Sequence, residues 1–353
     1  MISSNKRVFC FLLLPPCIYL NLYGFSNIGS MLSIGGLFFA YVYCLFYGKV
    51  ICLKSDRIHV IVAIFIYICY VCYNNLLHGI NIISGLFWWI YLLLALLLPI
   101  RLNKKDYIKI IKYYFYISTA VLIYDAYYRF FINVKDIPGI GRYAYKYGLI
   151  GIDSNFAGVY SLLCFCFFLF LFKKGKISVV YSLVYFLVTI ATCSLAAISV
   201  SLFVIVFFLI DKTIYKIFVI FSLSFMSYFI VGFILTDGSG SSKFELINEA
   251  YHLYLSYDIS DMFFGTGLGS VIFNVSQLPP HLLLLQLILE FGLVGLVLFF
   301  FIPVIIIIKW GKDYIYIFIP YFLVGFSVVT ISNPILATLT LLYYYFKETE
   351  WEN

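Results

Sequence analysis

Long, unbroken apolar runs alternate with short polar clusters along the whole chain. A hydrocarbon layer of about 30 Å takes about 20 apolar residues in a helix. Runs of that order fall near 8–24, 28–47, 58–74, 80–100, 107–132, 155–172, 177–191, 194–210, 214–235, 281–308, 314–331 and 333–346. They run on without the apolar–polar alternation of a barrel strand. The pattern predicts an all-α polytopic membrane protein with about 11–12 transmembrane helices. Asn333-Pro334 leaves open whether 314–346 is one interrupted helix or two spans, because proline removes a backbone donor. No repeat or low-complexity linker divides the sequence, so residues 1–353 read as a single integral membrane domain.

Composition removes the soluble alternative. Charged residues make up 11% and hydrophobic ones 64% of the 353, where a soluble domain carries roughly 25% charged residues. The net charge of +7 does not indicate nucleic acid, since the basic residues sit in short clusters between apolar segments. With the N-terminus in the cytoplasm, all but five of the 23 Lys and Arg fall in cytoplasmic segments. The five exceptions are Arg129, Lys135, Arg142, Lys146 and Lys243. That skew follows the preference of Lys and Arg for cytoplasmic loops. Lys6 and Arg7 precede an apolar run without a small-residue cleavage site, which reads as a retained first span. The nine cysteines lie mostly within apolar segments, and Cys69-x-x-Cys72 reads as core packing rather than a metal pair.

Two outer loops are substantial, at about 133–154 and 236–280, and all five exceptional basic residues lie in or beside them. Within the second loop, Ser242-x-x-Glu245 has the spacing of a capping box. Phe244, Ile247, Tyr251, Tyr254 and Leu255 follow at helical spacing, predicting an amphipathic helix lying on the membrane surface. Gly265-Thr-Gly-Leu-Gly269 allows a sharp turn; a phosphate cradle is the weaker reading of so short a motif.

His281 follows Pro279-Pro280 and opens the next span; ten residues separate it from Gly292, and Gly295 comes next. Together with SGSSKFELINEAYHLYLSYDISDMFFGTGLGS upstream, this resembles the O-antigen polymerase and O-antigen ligase superfamily. That pattern has a basic residue opening a periplasmic helix, a glycine turn, and a His entering a helix with Gly-x-x-Gly about ten residues on. GIDSNFAGVYSLL, after Arg142, and ATCSLAAIS resemble two further segments, so the likeness covers about 140–300. Leu282 stands where Asn is usual, Lys243 where Arg is usual, and Leu195 in place of an Arg. These departures favour the more divergent polymerase branch over the ligases, because Lys lacks the two-pronged phosphate contact of Arg.

The resemblance implies an O-antigen polymerase of the bacterial inner (cytoplasmic) membrane. It would join undecaprenyl-pyrophosphate-linked oligosaccharide repeat units into polysaccharide on the periplasmic face, beside a flippase and a chain-length regulator. His281 and Arg142 are then the catalytic candidates. Lys146, Lys243, Tyr143, Tyr145, Arg129 and Asp125 are candidates for substrate binding. Independently of any family, a His at the membrane mouth can take a proton near neutral pH. Cations among tyrosines suit a pyrophosphate joined to sugars, although a solvated, aromatic-anchored loop has the same composition. Asp125 and Arg129, four apart on one helix face, form either a structural clamp or an inner wall of the site. Glu290, about 13 Å along the helix from His281 at 1.5 Å per residue, reads first as a structurally paired carboxylate. His59, His78 and His252 have no matching neighbours. No outer Asp, Glu or His cluster has metal-ligand spacing, so neither metal nor cofactor is expected. An O-antigen ligase and a lipid-linked oligosaccharide flippase remain the alternatives.

Overall fold

A computed structural model describes residues 28–46, 55–80, 86–134, 145, 147–150, 153–209, 238–271, 282–328 and 333–351. The predicted spans near 8–24 and 214–235 lie outside the described residues. Among those described, all regular structure is helical, apart from one bridge pairing Tyr147 with Asp153. In chain order the helices are α1 (Ile28–Phe46), α2 (Ser55–Leu77), α3 (Phe87–Leu97), α4 (Lys104–Tyr127), α5 (Ser154–Lys173), α6 (Val180–Ala191), α7 (Leu195–Leu209), α8 (Gly238–Ser256), α9 (Ile259–Phe264), α10 (Leu283–Trp310), α11 (Ile315–Val328) and α12 (Pro334–Trp351). Helix α4 continues as a π-helix over Tyr128–Ile132.

Three of these, α2, α5 and α10, are long and apolar enough to cross a membrane. The predicted span at 80–100 ends early, because Leu98 turns extended ahead of Pro99 and ends α3 at Leu97. Helix α5 is the centre of the bundle: every side chain from Ala157 to Leu171 is buried. Asp153 caps its start by accepting from the Asn155 amide, and Gly175 closes its end at φ +64°. The outside of the bundle is apolar as well. Leu293, Val297, Phe301, Val304 and Ile308 form an exposed stripe along α10, a surface suited to lipid and not to water.

Helices α11 and α12 are separate helices, and neither is among the three long and apolar enough to cross a membrane. The Tyr314 hydroxyl meets Thr340 at 2.7 Å, and Tyr343 donates to the Gly311 carbonyl at 2.9 Å. The start of α11 therefore lies beside the end of α12, and the chain doubles back.

The same contacts define a basic end. Arg57 donates to the Leu96 and Leu98 carbonyls and to the Tyr344 hydroxyl, and lies 3.5 Å from Glu348. Nearby, Asp313 holds Lys174 at 2.9 Å and Lys347 at 3.1 Å, while Glu350 takes Lys176 at 3.3 Å. These residues come from the Lys- and Arg-rich segments of the sequence. Cysteines split: Cys44, Cys164 and Cys166 are buried as core, but Cys69 is exposed and Cys72 half-buried. The expectation of core packing therefore fails for Cys69, which lies on the outward side of α2.

Burial alone would raise the Asp313 carboxyl, but hydrogen bonds and charge from Lys174 and Lys347 outweigh it and hold the group below its usual range. A carboxyl depressed in the folded state adds stability that is full above its unfolded value, about 3.9, and is lost as pH falls through the folded value. In detergent, the melting temperature should therefore drop as pH falls below about 4. Asp313→Asn should lower it at pH 7 and flatten that acid limb. An unchanged acid limb in the Asn variant would show that Asp313 is not its source.

Candidate functional site

At the end opposite the basic one, the described residues form two polar clusters. The first is built on the end of α4. Asp125 Oδ1 accepts from the Leu149 and Ile150 amides at 2.6 and 2.9 Å, and Oδ2 accepts from Arg129 Nε at 2.8 Å. Arg129 Nη1 donates to the Thr192 carbonyl at 3.0 Å. Both side chains are buried, with 0 and 1% of their surface exposed. The pair thus ties the loop after Tyr147 and the turn between α6 and α7 to one helix end. Gly148 is required there, since a Cβ would lie 2.5 Å from Asp125 Oδ1. The pair clamps these two segments to the end of α4. Tyr145 stacks at a tilt on Phe130, with ring centres 4.8 Å apart.

The second cluster is the glycine turn. Gly265 N–H bonds Asp261, Thr266 bonds the Leu289 carbonyl, and Gly267 bonds the Glu290 carbonyl. Leu268 N–H bonds Asn75 Oδ1 at 2.8 Å, and Gly269 N–H bonds Glu290 Oε1 at 2.9 Å. With its donors engaged by protein groups, the turn is a docking element rather than a phosphate cradle.

Its dock is a break in α10. Gly292 adopts φ 62°, ψ −172°, and Gly265 adopts φ 75°, ψ 178°, a region essentially reserved for glycine. The two backbones touch: a Cβ on Gly265 would lie 2.4 Å from the Glu290 carbonyl oxygen, and one on Gly292 2.4 Å from that of Phe263. The break frees carbonyls that lipid cannot satisfy. Tyr70 donates to the Phe291 and Phe264 carbonyls, and Asn74 to those of Phe264 and Glu290. Asn74 and Asn75 carry this assembly and were not singled out from sequence. Their signal is two adjacent amides at the end of an apolar helix.

The surface helix differs from its expected form. Helix α8 begins at Gly238, so Ser242 and Glu245 lie within it and do not cap its start. Ala250, Leu246, Leu253, Tyr254 and Tyr257 pack around Val271, Leu285 and Leu289, while Ile247, Tyr251 and Leu255 are exposed. Tyr254 therefore faces the protein, and three of the five expected residues form the outward apolar stripe.

His281, Arg142, Lys146 and Tyr143 lie outside the described residues, as does the Lys243 side chain. Leu282, next to His281, is buried and precedes the first turn of α10. Among the described residues, no group of three or more His, Cys, Asp or Glu is placed to hold a metal.

No family model matches the chain, and no curated protein matches it.

Proposed function

We propose that this protein is an O-antigen polymerase, a metal-independent glycosyltransferase of the bacterial inner membrane that joins undecaprenyl-pyrophosphate-linked repeat units. One observation carries the reading beyond the sequence likeness. The glycine turn and the Gly292 helix, which are separate pieces of the family-like pattern, pack backbone to backbone and share one hydrogen-bond network. The helix half so fixed is the one that follows His281.

In this reading the N-terminus is cytoplasmic, about 11–12 helices cross the membrane, and the loops at 133–154 and 236–280 face the periplasm. The acceptor hydroxyl of the newly flipped unit attacks the anomeric carbon of the growing chain. The bond from that carbon to pyrophosphate breaks, and undecaprenyl pyrophosphate leaves with the electron pair. His281 takes the hydroxyl proton. Arg142, with Lys146 and Lys243, stabilises the negative charge on the leaving group. Tyr143 and Tyr145 offer flat faces to the sugars.

A second reading, the lipid-linked oligosaccharide flippase, draws on a specific observation. Broken helices with buried polar groups also build the sites of transporters, and α10 is broken at Gly292. Deletion of the gene followed by lipopolysaccharide gel analysis separates the readings. Core capped by a single repeat is the expected result. Bare core with accumulated lipid-linked polymer would identify a ligase, and lipid-linked units trapped in the cytoplasmic leaflet a flippase.

A further inference from the structure

Glu290 is fully buried in α10, yet its oxygens meet only neutral donors: the Gly269 amide at 2.9 Å and Gln286 Nε2 at 3.0 Å. Among the described residues no cation pairs with it. A carboxylate in apolar surroundings is costly, so what it holds must matter to the fold or to function. It holds two things at once. Gln286 and Glu290 lie one turn apart on the short helix 283–291, and Gly269 lies in the docked turn. Gly292 separates that short helix from the rest of α10, leaving 283–291 as a lever of about two and a half turns. From the other side, Asn75 grips the same turn through Leu268, and Asn74 grips the Glu290 carbonyl. Among the described residues, Asn74 Oδ1 and Asn75 Nδ2 are buried without a hydrogen-bond partner. This cluster is therefore held in place by the backbone it grips rather than by complete pairing of its own polar atoms.

We propose that Glu290 is a positioning residue, a latch that locks the lever 283–291, the helix that follows the candidate base His281 in sequence, to the Gly265–Ser270 turn. The functional half of this rests on the polymerase reading; the latch itself does not. An error of about 1 Å in placing a catalytic group can cost about 100-fold in rate. Glu290→Leu removes both acceptors while filling a similar volume. Glu290→Gln keeps an acceptor for Gly269, and the Gln286 amide, turned over, can accept from the new amide nitrogen.

Two readouts on the full-length protein in lipid nanodiscs test the latch. Amide hydrogen exchange across 265–270 should rise at least tenfold in Glu290→Leu and stay near wild type in Glu290→Gln. With lipid-linked repeat units as substrate, Glu290→Leu should lower kcat by about tenfold or more at an unchanged KM, and Glu290→Gln should restore kcat to within threefold. Unchanged exchange in the Leu variant would overturn the latch whatever the activity. A Gln variant as slow as Leu, with its turn still protected, would overturn it in favour of a chemical role for the carboxylate. An inactive wild type whose exchange pattern follows the expectation would instead remove the polymerase reading and leave the latch standing.

Discussion

Gly292→Ala should leave at least tenfold less folded protein in the membrane than wild type. At φ 62°, ψ −172° an alanine is strained by about 1–3 kcal/mol from backbone conformation alone. Its Cβ would also lie 2.4 Å from the Phe263 carbonyl oxygen and 2.5 Å from its carbon. Both are backbone atoms, so no side chain can swing away. Relief requires α9 and the glycine turn to leave α10, which strips partners from the carbonyls of Leu289 and Glu290. Each buried unpaired group costs about 1–3 kcal/mol, and the whole approaches the 5–15 kcal/mol stability of a typical domain. Gly269→Ala is the matched control. It too has a positive φ of 75°, but a Cβ there meets nothing within 4 Å, so the cost is about 1 kcal/mol. Fluorescence-detected size exclusion of both variants in detergent makes the comparison. Equal yields and melting temperatures would show that the backbone contact does not hold the fold.

His281→Gln is expected to slow polymer formation by about 10²–10⁴-fold, the usual contribution of a positioned general base. Glutamine keeps a hydrogen bond but cannot carry the proton at neutral pH. Binding of the lipid-linked donor should change little, because in the proposed reaction the lost function is proton transfer. Single-turnover rates and donor affinity on the purified variant give both quantities. A rate within threefold of wild type would remove His281 from catalysis; a normal rate with weakened donor binding would make it a ligand of the pyrophosphate.

Much of the fold was legible in sequence because lipid leaves a helix few options: its residues must be apolar and its breaks must be charged or proline-marked. The placements of α2, α5 and α10 follow from that rule, and the clamp was visible as Asp125 and Arg129 at a spacing of four. The break in α10 was not. Gly292 sits in a long, mostly apolar run, where a glycine ordinarily eases helix packing. Only its contact with Gly265, 27 residues away in sequence, turns the helix into two pieces. The same is true of Glu290. Its partner Gly269 belongs to the glycine turn, and nothing local to either residue announces the pair. Ser242 and Glu245 show the opposite failure, a spacing that matches a cap inside a helix that had already begun at Gly238.

The central claim is a group transfer between two lipid-linked units, and it is tested most directly with the purified protein in liposomes. A single undecaprenyl-pyrophosphate-linked repeat unit is added on the accessible face, and products are separated by size. The account predicts lipid-linked chains of two, three and more repeats, with one undecaprenyl pyrophosphate released for each bond formed. A substrate that remains one repeat long, whether or not it crosses the bilayer, would contradict it.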